Sequence, residues 1–354
     1  MSESDTVIYG TRTTERAPLL NIPESVKRRR PRVVALGGGT GLPVVLRSLK
    51  NRLSPPSDQK LSEYDKKGLT AIVTVTDDGG SSGRLRREFD ILPPGDIRNC
   101  MAALSEDSAF SSDLFQYRFQ RGDGLIGHSF GNLLLAALTD MKGNFMEAVQ
   151  CCSRMMNVRG QILPSTPVNV ALLARFKDGS LVKGESSIVK YRGEIERVFL
   201  QPSYSGTPPS VLDAIETADA IIIGPGSLFT SVIPNLLVKE IAAAIKRSRA
   251  KKIYICNLMT EPGETDGYTA FDHVRAIFDH TEYGLLQYVI LNKGRVSYEL
   301  QRRYTGQGYH PVRHDVEGIR ELGLTAVAAD VMTEEGEKIR HDEDKLGCLL
   351  MELI

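Results

Sequence analysis

Two adjacent aspartates, Asp77 and Asp78, end the apolar run 70–76 and are followed by Gly79-Gly80-Ser81-Ser82-Gly83 and by Arg84, Arg86 and Arg87. Two neighbouring carboxylates at a sheet mouth are costly to desolvate unless a cation or a hydroxyl-rich ligand meets them. The glycines and serines can form an anion cup, and the arginines can neutralise phosphate. The alternative is an Asp-Gly turn leading into a charged, exposed helix. A third acid stands in Leu92-Pro93-Pro94-Gly95-Asp96-Ile97-Arg98-Asn99. There Asp96 either caps a helix or ligates a metal, with Arg98 and Asn99 in the same first turn. In Gly127-His128-Ser129-Phe130-Gly131-Asn132 the Gly-x-Ser-x-Gly spacing invites a hydrolase reading, but no clear strand precedes it. Ser129 therefore reads as a helix N-cap, with His128 and Asn132 placed for ligand contact. The candidates for any chemistry are Asp78, Asp96 and His128, the last being the one motif residue with an ordinary pKa near neutrality.

Glycine loops complete the set. Val33-Val34-Ala35-Leu36 runs into Gly37-Gly38-Gly39-Thr40-Gly41 and then into an amphipathic stretch. That is a buried strand turning into a helix whose first N–H groups can meet a phosphate. The Rossmann fingerprint fails, because Leu42 stands where its third glycine is needed, and no Gly-Lys-Ser/Thr follows for a Walker loop. An anion cradle of another kind and a tight packing turn both remain open. Gly224-Pro225-Gly226-Ser227 repeats the arrangement after Ala220-Ile221-Ile222-Ile223, and Asn257 and Thr260 follow the run 252–256. An asparagine at a strand end can read a base or sugar edge with one donor and one acceptor.

Elements that would position these residues alternate along the chain. Apolar runs at 32–36, 70–76, 220–223, 252–256, 288–291 and 326–329 are rich in Val and Ile and do not alternate with polar residues, the pattern of buried parallel strands. Helical periodicity covers 43–50, 129–139, 234–247 and 270–280. The expectation is an α/β fold: a doubly wound, mostly parallel, Rossmann-like sheet with ligands beyond the C-terminal strand ends. Residues 168–189 read as an antiparallel β-hairpin turning at Lys177-Asp178-Gly179-Ser180, within an insert of about 165–200. Residues 1–30 are polar, lack periodicity and end in Lys27-Arg28-Arg29-Arg30, so a disordered arm is expected before a single domain over 31–354.

Composition narrows the function classes. Lys plus Arg and Asp plus Glu both total 44, which argues against a nucleic-acid or anionic-membrane binder. No apolar run is long enough to span a bilayer, and no apolar signal core stands near the N-terminus. The five cysteines lack C-x-x-C spacing, which fits a reducing cytoplasm without a disulfide frame or a zinc site.

Taken in order, the glycine loop, Thr76-Asp77-Asp78-Gly79-Gly80-Ser81-Ser82-Gly83-Arg84-Leu85, the Pro93–Asn99 and Gly127–Asn132 motifs, Gly224–Ser227, and Cys256-Asn257-Leu258-Met259-Thr260 resemble the gluconeogenesis factor (YvcK-like) family. That family lies within the superfamily of 2-phospho-L-lactate transferases (CofD-like), and the resemblance runs from about residue 32 to Arg340-His341-Asp342 and the C-terminus. It implies a cytoplasmic, nucleotide-diphosphate-binding regulator that takes a UDP-sugar such as UDP-N-acetylglucosamine. It further implies a role in cell shape and wall synthesis during growth on gluconeogenic carbon sources, with a cell-wall synthesis protein as partner and a homo-oligomer as a further expectation. From the transferase branch it implies Mg²⁺ on Asp78 and Asp96, with no tightly bound organic cofactor. The Gly-Gly-Ser-Ser-Gly run follows the gluconeogenesis branch and argues against deazaflavin binding. The ligand-binding set expected is Gly37, Gly38, Gly39, Thr40, Gly41, Asp77, Ser81, Ser82, Arg98, Asn99, His128, Ser129, Asn132, Gly224, Gly226, Ser227, Asn257 and Thr260. The competing function is a Mg²⁺-dependent transferase moving a phosphate-bearing group from a nucleoside diphosphate, and a nicotinamide oxidoreductase is a weaker third.

Overall fold

The Val- and Ile-rich runs do build one parallel sheet. In the computed structural model, which describes residues 30–54, 62–106 and 110–354, the body of the protein is Pro31–Ile354. Residues 1–29 of the expected N-terminal arm lie outside the described residues. Seven strands form the sheet: β1 (Val33–Gly37), β2 (Leu69–Val73), β3 (Gln161–Pro164), β7 (Ala220–Ile223), β8 (Lys251–Ile255), β9 (Tyr288–Asn292) and β10 (Thr325–Ala329). Their order is β10-β9-β8-β7-β1-β2-β3, all parallel. The four central strands are sealed on both faces: Val33, Ala35, Ile72, Ile222 and Ile253 have no solvent exposure. That is why these runs carry no polar alternation. The edge strand β10 is only partly covered. Sequence pattern misses β3, because Gln161-Ile162-Leu163-Pro164 is too short for a periodic signal and ends in proline.

Chain order runs outward from β1 in both directions, to β2 and β3 on one side and from β7 to β10 on the other. The loops leaving β1 and β7 therefore diverge and open a crevice at the C-terminal strand ends, where open α/β sheets bind ligands. The two loops nearly touch: a Cβ on Gly41 would lie 2.3 Å from the Pro225 carbonyl oxygen.

The antiparallel insert is larger than a hairpin. β4 (Ala171–Phe176) and β5 (Leu181–Lys183) turn at the expected residues, with the Phe176 amide donating to the Ser180 carbonyl. β6 (Ile195–Gln201) then pairs with the other side of β4, and a short helix, Glu185–Tyr191, occupies what reads as the end of the second hairpin strand. The stretch 234–247 also differs, breaking into the short helix Ile233–Leu236 and the helix Lys239–Arg247, the segment Leu228–Leu236 being bent by 72° from the latter. Among the described residues no single helix is long and apolar enough to cross a membrane.

Candidate functional site

A cavity of about 720 Å³ lies in the crevice, a size usual for a small-molecule site. Sheet order arranges its walls in a line. At the β9 side stand Tyr304 and Tyr309, half-buried, with ring centroids 5.8 Å apart at 70°. Asn257–Met259 and Glu261 follow β8, Pro225–Ser227 follow β7, and Gly39–Gly41 follow β1. Asn99, Ala102 and Gln116, from the connection after β2, close the far end. Five strands at about 4.8 Å spacing span about 19 Å. The C-terminal residues Ile339, Arg340 and His341 complete the aromatic end, where the Ile339 amide donates to the Tyr304 hydroxyl at 3.2 Å.

The two glycine loops are braced by side chains. Gly39 sits at φ +60°, in the left-handed region glycine favours, and its amide donates to Asp96 Oδ2 at 2.8 Å. Asp96 is not the helix cap: that position belongs to Pro94, and the carboxylate reaches back to the glycine loop instead. Burial, and next the charge of Asp77, push its pKa up to about 6, against the lowering effect of the Gly39 hydrogen bond. On the second loop the Gly226 amide donates to Asn257 Oδ1 (3.3 Å). Asn257 Nδ2 and the Ser227 hydroxyl both donate to Glu261, at 2.9 and 2.6 Å. Each polar atom of Asn257 thus uses one hydrogen-bonding position to hold the loop, which leaves one donor and one acceptor position over.

The other expected residues divide into two groups. Asp77 Oδ1 accepts from the Gly79 amide (2.8 Å), and Asp78 Oδ1 accepts from the Ser186 amide (3.0 Å), anchoring the insert helix Glu185–Tyr191. Glu185 joins them: burial and the carboxylates of Asp77, Asp96, Glu264 and Asp78 hold its pKa well above the usual range. Among the described residues no three acids, histidines or cysteines form a metal-holding group. The run Gly79–Gly83 is not an open cup, since the helix Gly80–Phe89 begins within it. Gly83 is glycine for packing, because a Cβ there would lie 1.9 Å from the Asp78 carbonyl oxygen.

The second group is a buried knot. Asn132 Nδ2 donates to Ser81 Oγ at 3.1 Å, so the Ser81 hydroxyl is free to donate to His128 Nδ1 at 2.9 Å. Burial, and next Arg84, lower the His128 pKa, so the ring is neutral near pH 7. Ser82 lies 3.5 Å from Asn132 Nδ2, and Ser129 caps the helix Phe130–Lys142, as expected. None of these residues lines the cavity.

The structure therefore brings Gly39, Thr40, Gly41, Asn99, Gly226, Ser227 and Asn257 to the cavity wall. Gly37, Gly38 and Gly224 lie behind it. Asn235 Nδ2 donates to the Gly37 carbonyl, and a Cβ on Gly38 would stand 2.6 Å from Asp96 Oδ2. Thr260 is buried and exchanges hydrogen bonds with the His310 backbone. Arg98 sits behind Asn99 and donates to its Oδ1. Arg47, Gln116, Glu261, Tyr304, Tyr309, Arg340 and His341 line the cavity without having been expected there. For Arg47 a signal existed: Thr40, Pro43, Val44 and Arg47 follow i, i+3, i+4, i+7 spacing along one helix face.

Comparison with known proteins agrees with this architecture. The family described as 2-phospho-L-lactate transferase CofD matches residues 33–332. The gluconeogenesis factor of Bacillus subtilis (strain 168) is 46% identical over 326 residues, covering 92% of this chain and 99% of that protein. The gluconeogenesis factor of Halalkalibacterium halodurans is 45% identical over 324 residues, covering 92% of this chain and 97% of that protein. A crystal structure of a Bacillus halodurans protein superposes with a TM-score of 0.85 at 45% identity, covering 91% of this chain and 99% of that one.

Proposed function

Because the chain belongs to the 2-phospho-L-lactate transferase CofD family, on its gluconeogenesis factor branch, we propose that it binds a UDP-sugar across the strand ends and acts as a regulator rather than a transferase. The observation that carries this reading is the linear order of the cavity walls: an aromatic pair at the β9 end, two glycine loops in the middle, and polar side chains at the β2 end. A uracil ring suits the aromatic end. A diphosphate suits backbone amides at the start of the helix Gly41–Leu53, with Arg340 adding positive charge and Arg47, already ion-paired with Glu343, beside it. The sugar then lies towards Asn99. The names of the relatives support a role in gluconeogenic growth, and cell-wall synthesis and a protein partner in the cytoplasm belong to the same proposal.

Mg²⁺ enters the proposal through Asp78 and Asp96. Magnesium is ordinarily held by one or two carboxylates together with ligand phosphates, so a closed protein cage is not required. Neither carboxylate lines the cavity, and each accepts a backbone amide, so a shared ion requires Asp96 to release the Gly39 amide and Asp78 that of Ser186. Of the basic groups on the cavity wall, Glu261 is held by the Ser227 hydroxyl and Asn257, and burial lowers the His341 pKa to about 4, while His128 has its Nδ1 engaged by Ser81 away from that wall. UDP-N-acetylglucosamine incubated for hours with the protein and Mg²⁺ is therefore expected to be recovered intact by phosphorus NMR. Its affinity is expected to be higher with Mg²⁺ than with EDTA, and Asp96→Asn removes most of that gain. Release of UDP or UMP in proportion to protein would establish the transferase reading instead, and coincident titrations with Mg²⁺ and EDTA would remove the metal.

A further inference from the structure

We propose that Asn99 recognises the group beyond the diphosphate, presenting its NH₂ to the β2 end of the cavity as a hydrogen-bond donor, and that Arg98 is the positioning residue holding it so. This rests on the nucleotide-sugar reading of the cavity. Asn99 Oδ1 accepts from Arg98 Nη2 at 2.8 Å and from Gln116 Nε2 at 3.3 Å. A guanidinium has only donors, so the oxygen of the Asn99 amide must face it and the nitrogen must face the other way. Asn99 and Gln116 both line the cavity, while Arg98 does not. Among the described residues, the Asn99 nitrogen is not one of the enclosed side-chain atoms left without a hydrogen-bond partner, whereas Arg98 is 7% exposed, with Nε and Nη1 enclosed and without partners.

That placement of Arg98 is costly, because a buried cation is tolerable chiefly when its donors are satisfied. The fold makes room for it: a Cβ on Gly131 would lie 2.9 Å from the Arg98 side-chain carbons. Asp96 and Asp77 are near enough to act on the guanidinium charge, as is the unfavourable Arg118. The one side-chain hydrogen bond it makes to the cavity wall goes to Asn99. An NH₂ locked in this sense pairs best with an oxygen that only accepts. On a nucleotide sugar, the N-acyl carbonyl is such an oxygen, and a hydroxyl matches it less fully.

UDP and UDP-N-acetylglucosamine, titrated calorimetrically into the full chain, separate the outcomes. Wild type is expected to bind the sugar nucleotide about tenfold more tightly than UDP, the effect of one well-placed hydrogen bond. Asn99→Ala brings that ratio to about one. Arg98→Met does the same although it touches no ligand, and Arg98→Lys, still a pure donor, restores part of it. Asn99→Asp pushes the ratio below one yet raises the unfolding temperature, because the carboxylate gives Arg98 a charged partner. A wild type that binds both ligands while Asn99→Ala keeps the ratio overturns the inference and leaves the site reading standing. So does an Asn99→Asp variant that unfolds earlier. A wild type that binds neither ligand overturns both.

Discussion

Gly39→Val is expected to lower affinity for UDP-N-acetylglucosamine at least about a hundredfold, or about 2.7 kcal/mol, while leaving a cooperative unfolding transition. Gly39 lines the cavity at φ +60°, and a Cβ built there would lie 3.4 Å from Ser231 Oγ. There is space for the added carbon itself, but two further methyl groups would intrude between the glycine loops where the diphosphate is placed. The left-handed conformation costs an L-residue about 1–2 kcal/mol, so a fall of a few degrees in unfolding temperature accompanies the loss. The sheet beneath is untouched, since Val33–Leu36 are covered from both faces. Calorimetric titration beside thermal unfolding checks both parts. A folded variant with unchanged affinity would remove the loop from the site.

Asp96→Asn is expected to stabilise the ligand-free protein at pH 8 and not at pH 4. The folded-state pKa of Asp96 stands at about 6, raised first by burial and then by Asp77, against an ordinary 3.8. The native state therefore holds a proton that the unfolded chain has already released between these two values. Stability falls as pH rises through that window, and the full penalty remains above it. A shift of about two pKa units corresponds to about 3 kcal/mol. Asp96 keeps some contact with solvent, so about 2 kcal/mol is the expected gain for the variant at pH 8. Asparagine retains an oxygen that can accept the Gly39 amide, which keeps the loop in place. Urea unfolding of both proteins at the two pH values measures the difference. Equal stability at pH 8 would mean that the carboxylate is not penalised there.

Local sequence carries what local physics decides. A Val-Val-Ala-Leu run into glycines fixes a buried strand, its turn and the start of the helix Gly41–Leu53, and the run 220–227 repeats the pattern. Both loops stand where the pattern places them. Contacts between distant segments leave no such trace: Asp96 reads equally as a cap or a ligand until its partner, Gly39, is seen 57 residues away. The same holds for the aromatic end. Tyr304 and Tyr309 leave no local signal that they line the cavity, and they reach it because β9 lies two strands from β7. Ser81 and Ser82 mislead in the opposite direction. Glycines around them suggest an open loop, but close packing of Gly83 on Asp78 draws both into the helix Gly80–Phe89 and toward Asn132. Glycine here marks a close approach of protein to protein rather than of protein to phosphate.

A crystal structure of the protein grown with Mg²⁺ and UDP-N-acetylglucosamine tests the central claim most directly. The expected result places uracil at Tyr304 and Tyr309, the diphosphate between Gly39–Gly41 and Gly226, and the sugar against Asn99. Density for an intact nucleotide sugar in that order confirms the line of walls as the binding site. An empty crevice at saturating ligand, or a nucleotide seated instead at the Ser81–His128–Asn132 knot, would contradict it.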